Sequence, residues 1–201
     1  KEQYWRIETK DVYTGRGWET SEESQDEEQA EGLVSLNAFS ENVETEESKA
    51  MIRFEAGSAL NRLVYPYGVS QVEAAEGVQF FLDASSDAIH PQLSGENINL
   101  DKYTITYQEP LFSIEALRES GDEDPEDIKE RYTALPSLPP RIGELAAEIT
   151  ASFDNRYDKA RAVEQYFGRN NFIYQTEEVP YPEDGQDYVD QFLFETQLGY
   201  C

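Results

Sequence analysis

Cys201 is the single cysteine of this 201-residue chain and the side chain best suited to nucleophilic chemistry. It ends the stretch DYVDQFLFETQLGYC, in which Gly199 lies two residues before it. A thiol acts as a nucleophile when it is partly ionised, and a helix N-terminus favours the thiolate through its unpaired N–H groups and its dipole. A glycine just before such a helix lets the backbone turn tightly. The stretch therefore predicts a nucleophilic cysteine, with a buried structural thiol as the alternative.

Other polar side chains are weaker candidates for a site. His90, the single histidine, lies in DAIHPQL, where we expect an ordinary surface histidine in a proline-flanked loop. Gln197 has an amide that could donate to an oxyanion, although a surface glutamine is the simpler interpretation. Asp187 and Asp190 resemble a pair of catalytic carboxylates, but helix capping and compensation of the helix dipole explain them more simply. Trp18 is expected to pack in a core or at the junction between the two halves of the chain.

The strongly negative charge of the chain argues against nucleic acid as a partner. It has 42 acidic and 16 basic residues and a net charge of −26. Such a surface repels phosphate backbones, so nucleic-acid binding is not expected. A heavily solvated surface suited to high pH or high salt is the simplest interpretation, and a basic protein or cell-wall polycation is the alternative. One cysteine excludes an internal disulfide framework and a cysteine-rich zinc site.

Two acidic stretches interrupt the chain, at residues 19–31 and 119–127. Both are expected to be solvated, mobile loops because runs of like charge repel each other. The motif GDEDPED in the second stretch does not match a calcium-binding loop. Counted from Asp122, glycine is absent from loop position six, and Thr133 stands where a bidentate glutamate is needed.

The first half of the chain has the pattern of β-strands. Apolar residues alternate with polar ones in GLVSLNAF, AMIRFEA, GVQFFLDA and KYTITYQE, as in half-buried strands. Turn signals separate these segments at YTGRGW, YPYG and LSGEN. The pattern predicts an antiparallel β domain over residues 1–115, either a sandwich or a small barrel.

The second half changes to a helical period after an acidic loop and proline-rich linker predicted over residues 116–140. RIGELAAEITA has apolar residues at helical spacing and follows Pro139-Pro140, which favour a helix start. NRYDKARAVEQYFG predicts a helix capped by Asn155 and closed by Gly168. A short extended piece, NFIYQTEE, follows, and Asp187 is expected to cap a last helical segment with Val189, Phe192 and Leu193 facing inward.

This second half resembles the opening of a transglutaminase-like core, in the membrane-protein branch of the papain-related cysteine superfamily from bacteria. The residues that carry the resemblance are LPSLPPRIGELAAEIT, YDKARAVEQYF, FIYQTEEVP and, above all, DGQDYVDQFLFETQLGYC. The segment YWRIETKDVYTGRGW resembles the region that such proteins carry just before the core. The resemblance implies an α+β chain in which residues 141–201 form the truncated N-terminal part of the core.

The resemblance also implies a chemistry. Cys201 would attack protein or peptide amides, with a histidine and then an aspartate following later in the chain, so residues 1–201 alone would be inactive. No metal or organic cofactor is implied. The expected location is the extracytoplasmic face of the cell membrane, with substrates that include cell-wall-associated proteins. The alternative is a non-catalytic surface-binding module with a degenerate cysteine core.

The ends of the sequence agree with a piece of a longer polypeptide. The chain begins at Lys1, and its single methionine is Met51. No apolar run approaches the ~18 residues that a membrane span needs. Any contact with a membrane is therefore expected to come from segments outside these residues.

Overall fold

The chain forms two compact units of mixed α+β structure. A computed structural model describes residues 4–21, 27–29, 39, 43–121 and 123–199, with the backbone alone at 27–29. The first unit comprises Lys1–Lys10 and Thr20–Phe112, and the second comprises Asp11–Glu19 and Ser113–Cys201. The described part of the chain contains antiparallel sheets and five α-helices. This confirms the α+β class predicted from the sequence.

The first unit is built from two antiparallel sheets. Its strands are β3 (Glu27–Gln29), β4 (Thr45–Arg53), β5 (Val69–Glu73), β6 (Val78–Asp83), β7 (Ala88–Leu93), β8 (Glu96–Asn97) and β9 (Lys102–Pro110). One sheet has the strand order β4-β9-β5, and the other has the order β3-β6-β7-β8. The predicted N-terminal antiparallel β region is consistent with this arrangement.

The core of the first unit draws residues from both sheets. β4 and β9 pair over nine residues, from Thr45 opposite Pro110 to Arg53 opposite Lys102. Alternate residues of β9 point inward, where they meet residues of β7 and of the loops. The buried cluster consists of Leu63, Tyr65, Val69, Ile89, Leu100, Tyr103, Ile105 and Tyr107. Burial of this apolar area is the main favourable contribution to the stability of the unit.

The predicted strand segments match observed strands where the structure describes them. AMIRFEA, GVQFFLDA and KYTITYQE contribute to β4, β6 and β9, which confirms three of the four predicted segments. GLVSLNAF lies outside the described residues except for Phe39. The predicted acidic loop at 19–31 is wrong in part, because β3 pairs with β6 through backbone groups, which do not depend on side-chain charge.

The loop predicted around His90 is also wrong. His90 lies in β7, opposite Phe81 of β6. The following Pro91 is accommodated because its carbonyl, rather than a missing N–H, makes a backbone hydrogen bond, which it accepts from Ile98 N–H at 3.0 Å. The imidazole Nδ1 of His90 lies 3.3 Å from the carbonyl oxygen of Asn61.

The second unit contains all five helices. They are α1 (Ile114–Glu119), α2 (Glu126–Thr133), α3 (Pro140–Thr150), α4 (Arg156–Arg169) and the single turn α5 (Tyr188–Gln191), which continues into a π-helical turn at Phe192–Thr196. A parallel pair of short strands, β10 (Ile173–Tyr174) and β11 (Leu198–Gly199), completes this part. An N-terminal hairpin, β1 (Val12–Tyr13) and β2 (Trp18–Glu19), belongs to the same unit.

Local sequence signals account for the starts of these helices. Pro140 is the first residue of α3, as predicted. Asn155 caps α4 by accepting a hydrogen bond from Asp158 N–H at 2.8 Å, which confirms the predicted cap. The predicted stop at Gly168 is wrong, because α4 continues through Arg169 and ends at Asn170. The Asn170 amide donates to the carbonyl of Tyr166, so a side chain rather than a glycine turn satisfies the last helical turn.

The organisation around the unit boundary differs from the expected domains. The first unit ends at Phe112, and α1 and α2 lie where the loop and linker were expected. Ser113 explains the start of α1, since its hydroxyl accepts a hydrogen bond from Ala116 N–H at 3.0 Å. The hairpin at 11–19 joins the second unit rather than the β unit because its contacts are with residues late in the chain.

Candidate functional site

The described part of the second unit leads directly to the predicted nucleophile. Cys201 and Tyr200 themselves lie outside the described residues, which end at Gly199. The last described elements before them are α5, the π-helical turn and β11. The candidate site consists of these elements and of the side chains that hold them.

Asp187 organises the N-terminus of α5. Its carboxylate accepts a hydrogen bond from Asp190 N–H at 2.9 Å, which confirms the capping role predicted for Asp187. Two further helical N–H groups are satisfied by the hairpin. Tyr188 N–H donates to the carbonyl of Gly15 at 2.7 Å, and Val189 N–H donates to the hydroxyl of Tyr13 at 3.2 Å. The first unpaired donors of this helix are thus occupied by protein groups.

Tyr13 connects the hairpin to the capping carboxylate. Its hydroxyl donates to Asp187, lying 3.1 Å from both carboxylate oxygens. Tyr13 is 5% exposed, and its ring lies 5.2 Å from that of Trp18. Burial, together with the negative charge of Asp187, raises the pKa of Tyr13 to about 12. The phenol therefore stays protonated and remains a donor throughout the physiological range.

The turn of the hairpin adds a second connection to the same helix. Gly15 has φ +83°, a conformation that favours glycine, and a Cβ there would lie 3.3 Å from Asp187 Oδ2. The next residue, Arg16, forms an ion pair with Asp184 at 3.0 Å and lies over the ring of Tyr181. The turn therefore contacts both the loop before α5 and the start of α5.

Asp190 has a structural partner of its own. Arg141 of α3 donates to its carboxylate in a bidentate arrangement, with Nε 2.6 Å from Oδ1. This hydrogen-bonded guanidinium, opposed in part by burial, lowers the pKa of Asp190. Arg141 also lies 3.6 Å from Glu195 and over the ring of Phe194. Asp187 thus caps α5 and Asp190 lies in its first turn, as the sequence favoured, whereas the ion pair of Asp190 with Arg141 was not predicted.

A polar cleft of about 700 Å³ opens beside these groups in the second unit. Its walls come from the hairpin turn, the proline-rich segment before α3, and the last helical segment. The lining residues are Thr14, Gly15, Arg16, Pro136, Ser137, Leu138, Pro139, Arg141, Gly185, Gln186, Asp187, Asp190, Gln191 and Glu195. Both arginines of the cleft are already paired with carboxylates, so neither offers an uncompensated charge to a ligand.

An aromatic cluster supports the π-helical turn. The ring of Phe172 lies 5.0 Å from those of both Phe167 and Phe192, and Phe167 and Phe192 are stacked at 6.0 Å. Phe167 belongs to α4, so this helix fixes the position of the turn. The sequence predicted that Phe192 faces inward, and its ring contacts confirm it. π-Helical turns are rare and frequently occur at functional sites.

Gln197 reverses the chain after this turn. Its φ of +51° is left-handed, and its N–H closes the turn by donating to the carbonyl of Phe192 at 3.0 Å. Its carbonyl then accepts from Ile173 N–H at 2.9 Å, which starts the pairing of β11 with β10. The backbone of Gln197 thus has a clear structural role, whereas the oxyanion role considered for its amide stays a prediction.

Gly199 is the most constrained residue next to the candidate nucleophile. It is buried, and its carbonyl accepts from Gln175 N–H at 2.8 Å. A Cβ at this position would lie 2.9 Å from Cδ2 of Phe192 and 3.0 Å from the hydroxyl of Tyr188. Because Phe192 is held by the aromatic cluster, its ring has little room to move away. Only glycine fits at this position, two residues before Cys201.

The hydroxyl of Tyr188 is buried without a hydrogen-bond partner among the described residues. Sequence reasoning did not identify Tyr188 or Tyr13. The resemblance of YWRIETKDVYTGRGW to a region preceding the core was the one available signal for Tyr13. For Tyr188, its place directly after the capping Asp187 was the only indication.

The candidate residues singled out from the sequence are divided between the two units. His90 belongs to the first unit, whereas Asp187, Asp190, Gln197 and Gly199 belong to the second. Over the described ranges, no three His, Cys, Asp or Glu side chains are arranged to hold a metal ion. Within the same ranges, no helix has the length and apolar character needed to cross a membrane.

Comparison with curated proteins finds similarity over nearly the whole chain. The chain is 37% identical over 204 residues to a protein of Bacillus subtilis (strain 168) described as uncharacterized protein YebA. The aligned region covers 98% of this chain but only 28% of that protein, so the chain spans little more than a quarter of its relative. No family model matches the chain, and no solved structure matches it.

Proposed function

We propose that Cys201 is the nucleophile of a transglutaminase-like acyl transfer from protein or peptide amides. The observation that carries this proposal is the enforced glycine at position 199. The packing of Phe192 and Tyr188 leaves no room for a side chain at this position. A nucleophilic cysteine does need a fixed approach of the backbone, because reacting atoms must be held within a few tenths of an ångström.

The elements before Cys201 support this proposal through their rigidity. β11 is paired with β10, the π-helical turn rests on the aromatic cluster, and α5 is capped by Asp187 and by the hairpin. The sequence DYVDQFLFETQLGYC, which carries the resemblance to the transglutaminase-like family, corresponds to these elements. Such an arrangement would present the thiol in one orientation.

The proposed reaction proceeds through a thioester. The thiolate of Cys201 attacks the amide carbonyl carbon, a sulfur–carbon bond forms, and the tetrahedral intermediate expels the amine as its carbon–nitrogen bond breaks. The imidazolium of a histidine supplies the proton that the amine takes. A second amine or a water molecule then attacks the thioester and releases the thiol. The first gives transamidation, and the second gives hydrolysis.

The histidine and its orienting aspartate would come from the whole protein outside residues 1–201. His90 is not assigned to this role, since the histidine of the family that the sequence resembles follows the cysteine in the chain, whereas His90 precedes it. Neither a metal nor an organic cofactor is needed for this chemistry. From the family resemblance we further propose an extracytoplasmic location at the cell membrane and substrates among surface or cell-wall-associated proteins.

The test is the ionisation of Cys201 in the whole protein. We would follow alkylation of Cys201 by iodoacetamide against pH, using peptide mass as the readout. A midpoint well below the ordinary thiol pKa of about 8.5 is expected. Replacing the histidine that follows Cys201 should return the midpoint to the ordinary range, because the imidazolium that stabilises the thiolate is lost.

Activity provides the second measurement. The whole protein should join a fluorescent primary amine to the glutamine side chains of a protein substrate, or hydrolyse those side-chain amides to glutamate with release of ammonia. Cys201→Ala should reduce either reaction by about 10³-fold or more, since loss of a nucleophile removes the covalent route. A slow thiol with an ordinary midpoint contradicts the proposal and favours the surface-binding module instead.

A further inference from the structure

The polar cleft of the second unit has the size of a ligand-binding site. Its volume of about 700 Å³ lies within the range of roughly 300–1,000 Å³ that is usual for clefts that bind ligands. Its walls are the hairpin turn, the proline-rich segment 136–139 and the last helical segment. The proposed function assigns no role to this cleft.

The proline-rich segment has an extended backbone that other parts of the protein do not occupy. Ala134 and Pro139 have φ, ψ of −68°, 124° and −54°, 129°, close to the polyproline II conformation. Within the described part of the chain, no hydrogen bond engages the N–H or carbonyl groups of Ser137 and Leu138. The proline rings restrict the backbone before any ligand binds. The segment is therefore a preorganised edge with which an extended peptide can pair.

The cleft has a surplus of negative charge. It is lined by three carboxylates and two guanidinium groups, those of Asp187, Asp190, Glu195, Arg16 and Arg141. Arg16 is paired with the carboxylate of Asp184, and Arg141 holds Asp190 in a bidentate pair. Each guanidinium is thus compensated by one carboxylate, and two further carboxylates remain. A cationic ligand is therefore favoured over an anionic one.

The two remaining carboxylates are those of Asp187 and Glu195. Asp187 accepts hydrogen bonds from the hydroxyl of Tyr13 and from Asp190 N–H, and no lysine or arginine of the described residues forms an ion pair with it. Glu195 is half exposed and lies 3.6 Å from Arg141, a guanidinium already engaged with Asp190. An ammonium group has three donors and can bond to several carboxylate oxygens. These two side chains therefore suit a basic side chain.

We propose that this cleft binds an extended peptide segment of a partner protein, with a basic side chain directed at the carboxylates of Asp187 and Glu195. The backbone of the peptide pairs with the N–H and carbonyl groups of Ser137 and Leu138. The net charge of −26 attracts such a cationic segment to the chain. The inference goes beyond the proposed function and does not depend on the reactivity of Cys201.

The test measures binding of short peptides to the whole protein by saturation-transfer NMR. The probe is the pentapeptide Ala-Val-Lys-Val-Ala with blocked termini, and the same peptide with methionine in place of lysine is its neutral counterpart. We expect saturable binding of the lysine peptide with a Kd of about 1 mM or below, and binding of the methionine peptide that is weaker by about fivefold. Raising the salt concentration from about 0.1 M to about 1 M should remove most of this difference, because exposed charges are screened.

Glu195→Gln tests the charge of the cleft. It should weaken binding of the lysine peptide by about threefold to fivefold and leave binding of the methionine peptide unchanged. Glu148→Gln is the matched control, since it removes the same charge from an exposed position of α3 that does not line the cleft. It should change neither affinity. Asp187→Asn, which retains a capping side chain, should weaken the lysine peptide by about tenfold, because it removes a charged hydrogen-bond acceptor.

Ser137→Pro tests the backbone pairing. It removes one N–H from the segment, while proline favours the same extended conformation. Both peptides should bind about twofold to tenfold more weakly, which corresponds to the loss of one hydrogen bond. Ser137→Ala keeps the N–H and should bind both peptides as the wild type does. If Ser137→Pro lowers the melting temperature, Glu195→Gln still decides, because its side chain is half exposed.

Three results overturn the inference. The lysine peptide shows no saturable binding at concentrations up to about 10 mM, or the two peptides bind equally well. The third is equal weakening by Glu195→Gln and Glu148→Gln, which assigns the attraction to the acidic surface as a whole. Alkylation of Cys201 tests the proposed function separately, because peptide binding is measured without use of the thiol.

Discussion

At the scale of single residues, Tyr13 and Gly199 hold the last described elements of the second unit. The hydroxyl of Tyr13 bonds to the start of α5, and Gly199 fits between Tyr188 and Phe192. Tyr13 makes a contact of high sequence separation, and Gly199 makes a close backbone approach. Their substitutions should therefore have effects that exceed those of ordinary surface changes.

Gly199→Ala should destabilise the protein by about 1–3 kcal/mol, because a methyl group would overpack a rigid site. The added carbon would lie 2.9 Å from Phe192, which cannot move freely within its aromatic cluster. Urea unfolding of the two proteins measures the difference. Gly143→Ala in α3 is the control, since a Cβ there meets nothing within 4 Å. It should stabilise by about 0.5–1 kcal/mol through the helix preference of alanine. Equal stability of Gly199→Ala and wild type would contradict the packing.

Tyr13→Phe should cost about 1.5–3 kcal/mol, the contribution of a hydrogen bond to a charged group. The variant removes the donor to the Asp187 carboxylate and the acceptor for Val189 N–H. Thermal or urea unfolding measures the loss. Tyr174→Phe, with its exposed hydroxyl, should change the stability by less than about 0.5 kcal/mol. If both variants unfold alike, the hairpin does not hold α5.

At the scale of elements, local caps decide where the helices begin. α4 starts at a reciprocal pair, in which Asn155 accepts from Asp158 N–H and its amide donates to the Asp158 carboxylate at 2.8 Å. Arg118 of α1 donates to the same carboxylate, with Nε 3.0 Å from Oδ2. The hydrogen bond from Asn155, followed by those from Arg118, lowers the pKa of Asp158. The cap thus connects the start of α4 with α1.

Asn155→Ala should destabilise the second unit by about 1 kcal/mol at neutral pH. Asn155→Ser is the matched variant, because serine retains the cap acceptor and should recover most of the loss. The pKa of Asp158 is lower in the folded protein than in the unfolded chain, where it is about 3.9. Its ionised form therefore stabilises the folded protein at pH values above the unfolded pKa. This contribution is lost as the pH falls through the pKa of the folded state. The difference between Asn155→Ala and wild type should therefore shrink in acid. Urea unfolding at neutral and acidic pH checks it, and a constant difference would contradict the coupling.

At the scale of the whole molecule, buried tyrosines link stability to alkaline pH in both units. Burial raises the pKa of Tyr65 and of Tyr103 in the first unit to about 12, as it does for Tyr13 in the second. In Tyr65, the nearby Arg6 opposes this shift and Asp87 adds to it. The hydroxyl of Tyr103 donates to the carbonyl of Val64 at 2.9 Å, so it too is a structural donor.

Each unit should therefore lose stability between about pH 10 and 12. In that range the unfolded tyrosines, with a pKa near 10, have released protons that the folded ones retain, so the free energy of unfolding falls as pH rises. Urea unfolding at a series of pH values, with tyrosinate absorbance recorded in parallel, checks the prediction. Tyr103→Phe should reduce the slope of stability against pH in this range. An unchanged slope would show that Tyr103 titrates normally.

Much of the secondary structure follows from local chemistry and was predictable. Helix starts were predictable at Pro140, Asn155 and Asp187. The preference of proline for the first helical turn, and of asparagine and aspartate for the N-cap, acts within one turn of the chain. Strands β6 and β9 were recognisable because one face of each is apolar at a period of two residues. α1 was not predicted because its cap, Ser113, lies just before a stretch rich in charged residues, which is more typical of a loop.

Contacts between distant parts of the chain were not predictable in the same way. Sequence indicated that Asp187 caps a helix, but only the tertiary structure places Tyr13 and Gly15, more than 170 residues earlier, against that helix. His90 was misplaced in a loop because strand pairing with β6 overrides the local effect of Pro91.

The sequence by itself determined the acidic surface, the α+β class and the candidate nucleophile with its preceding glycine. These depend on composition, on local periodicity and on a motif whose residues are adjacent in the chain. Only the tertiary structure shows why Gly199 must be glycine. It also shows that the hairpin near the N-terminus holds α5. Both depend on which side chains meet in space, and that is set by packing of the folded chain as a whole.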